Sequence, residues 1–89
     1  MSTGTFTLQN RLGLHARAAA RLASVLNEAS GDVWVDYSGR RVNGKSILGL
    51  LMLAAPMGSE LDIEVSGENA AAVLEAVSVL IENRFGEAE

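Results

Sequence analysis

The sequence predicts an α+β fold, an open-faced β-sandwich in which a four-stranded antiparallel sheet carries three helices on one face in the order β-α-β-β-α-β-α. Short runs that alternate polar and apolar residues predict the strands, and stretches whose apolar residues recur every three or four positions predict the helices. The length of 89 residues and the hydrophobic content of 48% suffice for one compact core. We therefore expect a single domain over residues 1–89.

The first half of the chain predicts a strand, a helix and a hairpin. Residues 5–8 alternate between polar and apolar side chains, and the pattern becomes helical from residue 16 to about residue 28. Alternation returns in residues 32–37, and residues 40–42 follow after a Ser38-Gly39 turn. Two extended runs joined by so short a turn predict a β-hairpin.

The second half predicts a short helix, a strand and a long helix. Ser46 can cap a helix over residues 47–53, residues 61–65 alternate clearly, and a helix of about fifteen residues follows Asn69. Residues 86–89 are expected to fray. The short helix contains no charged residue, so it is either unusually enclosed or exposes an apolar patch to a partner, and we favour the partner.

The composition excludes several classes of function. A chain without cysteine forms neither a disulfide nor a thiolate metal site, and a single histidine excludes a multi-histidine site, so we expect no metal and no cofactor. A formal net charge of −4 argues against nucleic-acid binding. The longest apolar run, residues 47–57, is too short to span a bilayer, and no charged-then-apolar leader opens the chain, which predicts a soluble cytoplasmic protein without membrane insertion.

The charges are unevenly distributed along the chain. Six of the seven cations precede residue 46, and eight of the eleven acids follow it. Such asymmetry can steer an acidic partner to one side of the molecule. A solvated surface without an assigned task explains it equally well.

The only histidine, His15, lies where a glycine-containing loop enters the first predicted helix. The first turn of a helix has free N–H groups and a partial positive charge, so it attracts anions. Neutral histidine keeps a lone pair on one ring nitrogen, and Arg17 adds a cation two residues later. These features favour a phosphoryl group carried on His15, and the alternative is an incidental surface histidine.

Two motifs give the chain a resemblance to a known family. The run from Gly13 to Arg17 (GLHAR) and the run from Val42 to Gly49 (VNGKSILG) are similar in sequence and spacing to the histidine-containing phosphocarrier protein (HPr) family of the bacterial phosphoenolpyruvate:sugar phosphotransferase system. The resemblance covers nearly the whole chain. It implies that His15 accepts a phosphoryl group from phospho-enzyme I through its δ1 nitrogen and passes it to a sugar-specific enzyme IIA. The protein would then be a carrier rather than an independent catalyst, and we expect a monomer.

The resemblance also assigns roles to residues around His15. Arg17 and the backbone N–H groups of Ala16 and Arg17 would stabilise the phosphoryl group, and Ser46 resembles a regulatory serine that a kinase phosphorylates in some bacteria. A helix cap explains Ser46 equally well. Ala18 stands where the family usually has proline, which leaves the start of the helix less firmly held. The face that meets enzyme I and enzyme IIA would comprise Arg17, Ala20, Arg21, Ser24, Ile47, Leu48 and Leu51.

Two alternative functions compete with the carrier hypothesis. In the first, the protein is a regulatory interaction module, an HPr paralogue in nitrogen-related or catabolite control that acts by binding rather than in sugar transport. In the second, residues 39–46 match the P-loop pattern G-x-x-x-x-G-K-S and bind a nucleotide. The chain has too few elements for the parallel sheet of a P-loop domain, and the turn at Gly39 explains that glycine without a phosphate.

Overall fold

A computed structural model describes residues 1–88 of the chain. The secondary-structure elements along these residues are β1 (Ser2–Thr7), α1 (Ala16–Leu26), β2 (Val33–Tyr37), β3 (Arg40–Asn43), α2 (Ile47–Met52), β4 (Glu60–Val65), α3 (Ala70–Glu82) and a 3-10 helix (Arg84–Gly86). The predicted order of strands and helices is confirmed. None of these helices is long and apolar enough to cross a lipid bilayer.

The four strands form one antiparallel sheet in the order β1-β4-β2-β3, and the predicted open-faced sandwich is confirmed. Val35 of β2 lies opposite Ile63 of β4, and both side chains are fully buried. Leu22 of α1 and Val77 of α3 are also completely buried and belong to the same core cluster. Burial of large apolar side chains contributes about 1.5–3 kcal/mol each, so the core fixes both helices on this face of the sheet.

The opposite face of the sheet is polar. Arg41 donates to Asp36 at 2.9 Å and to Glu64 at 2.6 Å, and its guanidinium lies 5.2 Å from the centre of the Trp34 ring. A cation over an indole ring is attracted to the negative face of the π-system. This contact explains how an aromatic side chain is accommodated on a face that the strand pattern predicts to be solvated.

The two ends of the described chain differ most from the sequence prediction. The first strand begins at Ser2 rather than at residue 5, because Ser2 pairs with Val65 and the whole of β1 is matched along β4. The predicted fraying after residue 85 is wrong for Glu87. The N–H of Glu87 donates to the carbonyl of Arg84 at 2.9 Å, and the preceding Phe85 is buried. The last residue of that prediction, residue 89, lies outside the described residues.

The segment with the P-loop pattern has a different structure. Gly39 lies in the β2–β3 hairpin turn, and the ammonium group of Lys45 donates to the carbonyl of Ala29 at 2.9 Å. Gly44 is buried against Val33, where an added Cβ would lie 2.6 Å from a side-chain carbon. The lysine therefore secures a loop, the glycine permits close packing, and the sheet is antiparallel. A nucleotide-binding P-loop is excluded.

Candidate functional site

His15 occupies the N-cap position of α1. Its backbone is extended (φ −81°, ψ −178°), and its carbonyl accepts the N–H of Ala19 at 2.8 Å. Helix geometry leaves the N–H groups of Ala16 and Arg17 without intrahelical partners at the same end. The His15 side chain is 28% exposed and makes no capping hydrogen bond, so the ring is available to other groups.

The loop before His15 is fixed by contacts with the segment that follows α2. The N–H of Leu14 donates to the carbonyl of Ala55 at 2.9 Å, and Leu14 itself is buried. The side-chain amide of Asn10 donates to the carbonyl of Gly13 at 2.7 Å. Gly13 has φ +67°, and a Cβ at this position would lie 2.5 Å from the Ala55 carbonyl oxygen. Glycine is thus required for both the backbone conformation and the close approach.

We expect Gly13→Ala to lower the free energy of unfolding by about 3 kcal/mol, since a left-handed alanine and a steric overlap with backbone add together. Gly39→Ala is the matched control, because Gly39 also has a positive φ but an added Cβ meets nothing within 4 Å. That control should lose only about 1 kcal/mol. Urea denaturation of both variants measures the difference, and equal losses would show that the loop adjusts without cost.

Ala18 lies in the first turn of α1 and is completely buried. Its N–H belongs to the group that a helix start leaves unpaired, so alanine here forgoes the stiffening of proline but loses no hydrogen bond. The loop contacts of Gly13 and Leu14 provide an independent anchor for the junction. That Ala18 holds the start of the helix less firmly than proline would is still a prediction.

The carboxylate of Glu87, near the end of the chain, contacts the histidine. Its Oε2 forms a hydrogen bond with Nε2 of His15, and its Oε1 accepts from the side-chain amide of Asn10 at 2.9 Å. Burial opposes ionisation of Glu87, but hydrogen bonds from Asn10 and His15, together with the charges of His15 and Arg17, lower the pKa of Glu87 overall. Glu87 is therefore an anion at neutral pH.

The sequence analysis selects His15 and Arg17 as site residues, but it does not select Asn10 and Glu87, which the structure places beside His15. Asn10 is completely buried beside the loop, and Glu87 is 72 positions from the histidine that it contacts. The only sequence signal for the tail is Phe85, an aromatic residue beyond the expected end of the last helix. A large apolar side chain there indicates that the tail returns to the core.

An open pocket of about 870 Å³ surrounds the histidine. It combines a ring nitrogen, the cation of Arg17 and the positive end of α1, which suits a transferable anionic group better than a metal. Among residues 1–88, no cluster of three or more acidic or histidine side chains could hold a metal ion. The pocket is lined by Arg11, Leu12, His15, Ala16, Arg17, Gly86, Glu87 and Ala88.

Helix α2 packs against α1 and exposes an apolar surface beside it. Ile47 is 44% exposed and Leu48 is 74% exposed, whereas Leu51 is half-buried and packs on the core. The cap predicted for Ser46 is confirmed, because its Oγ accepts the N–H of Gly49 at 3.0 Å. Of the residues assigned to the partner face, those exposed are Arg17, Ala20, Arg21, Ser24, Ile47 and Leu48.

Comparison with known proteins agrees with this geometry. Residues 2–83 match the family model described as the PTS HPr component phosphorylation site. The phosphocarrier protein HPr of Neisseria meningitidis serogroup A is 44% identical over 80 residues, 90% of each chain, and the phosphocarrier protein NPr of Shewanella violacea is 38% identical over 82 residues, 92% of this chain and 90% of the relative. The crystal structure of HPr-C-His from Thermoanaerobacter tengcongensis superposes with a TM-score of 0.93 at 32% identity and covers both chains completely.

An antiparallel sheet with three helices on one face, and a single histidine at the start of the first helix, define a small phosphocarrier domain. The chain belongs to the HPr family, the phosphocarriers of the phosphotransferase system. The resemblance inferred from the two sequence motifs is confirmed.

Proposed function

We propose that the protein accepts a phosphoryl group on Nδ1 of His15 from phospho-enzyme I and passes it to a sugar-specific enzyme IIA in the cytoplasm. The observation that carries this proposal is the position of His15, a partly exposed ring at the N-cap of α1 with Nε2 engaged by Glu87. Nδ1 is then the ring nitrogen left for phosphorus. Phosphoryl transfer requires mainly an aligned nucleophile and fixed positive charge, and this site provides both.

In the proposed transfer, the Nδ1 lone pair forms a bond to phosphorus while the bond from phosphorus to the donor breaks, and that electron pair leaves with the donor. The guanidinium of Arg17 stabilises the charge on the equatorial oxygens, as do the N–H groups of Ala16 and Arg17. Transfer to the acceptor reverses the step. The chain supplies the carrier nitrogen and its surroundings, and the donor and acceptor proteins supply the rest of each reaction.

The direct test is incubation of the protein with phosphoenolpyruvate and enzyme I, followed by intact mass spectrometry. We expect one added phosphoryl group that maps to His15, that is lost in acid, and that moves to enzyme IIA when this protein is added. An acid-stable adduct, or no adduct with an enzyme I that is active on another HPr, would contradict the proposal.

We further propose that the exposed apolar surface of α2 forms the centre of the docking face, with Arg17 and Arg21 at its edge. Leu48→Asp is expected to weaken binding to enzyme I at least about tenfold, since it places a charge in the part of the interface that must lose water. Val79→Asp is the matched control, because Val79 is 54% exposed on α3. Calorimetric titration measures the affinity of each variant for enzyme I. Equal affinities of Leu48→Asp and Val79→Asp would mean that the docking surface lies elsewhere.

Ser46 is the proposed regulatory position within this face. The residue is half-buried, and it directly precedes Ile47 and Leu48. A phosphate on its oxygen would add about −1.5 to −2 charge next to the apolar surface and would repel an acidic partner. The same oxygen already caps α2, so a kinase would act on a residue whose type is also explained by helix stability.

A regulatory interaction module is the second candidate function, favoured by the similarity to the NPr relative. In that case the same face would bind control proteins, and the state of Ser46 rather than His15 would determine the outcome. Phosphoryl transfer to a sugar-specific enzyme IIA at a rate comparable to that of another HPr distinguishes the sugar-transport role from this alternative.

A further inference from the structure

The hydrogen bond between Glu87 and His15 involves a residue that lies outside the region matched by the family model. The family model ends at residue 83, four positions before this glutamate. Yet its carboxylate contacts the nitrogen of His15 on the far side of the ring from Nδ1. A carboxylate at that position controls which ring nitrogen carries the proton.

We propose that Glu87 is a positioning residue for phosphoryl transfer, and this inference rests on the function proposed above. The carboxylate accepts the Nε2–H of His15 and thereby holds the imidazole in the tautomer whose Nδ1 has a free lone pair. When Nδ1 bonds to phosphorus and the donor takes the electron pair, the ring becomes positively charged. Glu87 stabilises that charge at Nε2 and remains a carboxylate. The acidic residue that hydrogen-bonds a catalytic histidine in other enzymes acts in the same way.

The tail that carries Glu87 is held through its carboxylate and through the preceding Phe85. The buried amide of Asn10 binds Oε1 and the carbonyl of Gly13, so it links the glutamate to the loop that precedes the histidine. Phe85 is 1% exposed, and its carbonyl accepts from the guanidinium of Arg21. A ring position fixed through such contacts loses less entropy when the reacting atoms align.

The charges facing Glu87 keep it ionised. Arg17 and His15 act on it directly, Asn10 donates a hydrogen bond, and together these lower the pKa of Glu87 against the opposing effect of burial. Since the folded-state pKa of Glu87 is below the ordinary value, the stabilising contribution of the ionised carboxylate is fully present above that ordinary value and is lost as the pH falls through the folded-state pKa. The carboxylate is thus ionised at neutral pH, where it can accept from Nε2–H.

The test uses Glu87→Ala and Glu87→Gln, with Glu75→Ala as the control because Glu75 is an exposed acid on α3. In protein labelled with ¹⁵N on histidine, a hydrogen-bonded Nε2–H exchanges slowly with water and gives a proton resonance at neutral pH. We expect this resonance in the wild type and in Glu75→Ala, and its loss in Glu87→Ala. The single-turnover rate of phosphorylation by phospho-enzyme I should fall about tenfold in Glu87→Ala.

Glu87→Gln separates charge from shape. The amide oxygen can still accept from Nε2–H, so the resonance should return while the rate stays below that of the wild type, because the positive ring is no longer neutralised. A missing resonance in the wild type, or a resonance that Glu87→Ala loses with no change in rate, would overturn the inference. The proposed function is tested separately. It fails if the wild type accepts no phosphoryl group, whether or not the resonance is observed.

Discussion

His15→Ala is expected to abolish phosphorylation by phosphoenolpyruvate and enzyme I while the fold is retained. The substitution removes the only imidazole in the chain, and the other side chains that line the pocket are arginines, apolar groups and the carboxylate of Glu87, none of which offers an imidazole nitrogen. The His15 side chain is 28% exposed and forms no capping bond, so its loss removes only the hydrogen bond with Glu87, which keeps its bond from Asn10, and the free energy of unfolding should fall by about 1 kcal/mol. Intact mass spectrometry and urea denaturation measure the two effects.

Ser46→Ala is the control for this loss, since it removes the other candidate phosphorylation site without touching the ring. It should accept the acid-labile phosphoryl group as the wild type does. Its unfolding free energy should fall by about 1 kcal/mol, because the N–H of Gly49 loses its capping partner. An adduct that persists in His15→Ala would mean that another residue carries the phosphoryl group.

The fold could be predicted from the sequence because its signals are local. Alternation marks each strand, and the helical repeat of α1 and α3 places the buried residues on one side, as with Leu22 and Val77. His15 could be proposed as the carrier residue for the same reason: the helix start and Arg17 lie within two residues of it along the chain. Features that depend on neighbouring positions need no knowledge of the folded molecule.

The remainder of the site depends on contacts between distant segments. Glu87 reaches His15 across 72 positions, and a tail rich in glycine and glutamate has no periodicity that would reveal this. The exposure of α2 is a second case, because an uncharged run such as Ile47–Met52 looks the same whether it is enclosed or exposed. Only its position at the surface beside α1 shows that Leu48 faces solvent.

Arg17→Ala is expected to lower the rate of phosphoryl transfer through His15 about a hundredfold, since the loss of one preorganised donor to a developing anion typically costs 10²–10³ in rate. Arg17 is exposed, so its loss should leave the stability of the protein nearly unchanged. Arg17→Lys keeps the charge but not the bidentate geometry, and it should recover part of the rate. Rapid-quench single-turnover assays measure the rate of phosphoryl transfer in the wild type, Arg17→Ala and Arg17→Lys.

Arg41→Ala is the matched control for this effect, because it removes a guanidinium from the polar face of the sheet, where Arg41 bonds Asp36 and Glu64. If the rate depended on the overall charge of the molecule, both variants would be impaired equally. Arg17 and Glu87 also interact with each other, because the charge of Arg17 contributes to the lowered pKa of Glu87. If both residues act on the same transfer step, the effects of Arg17→Ala and Glu87→Ala on the free energy of activation should not be additive, and the rate of the double variant measures the difference.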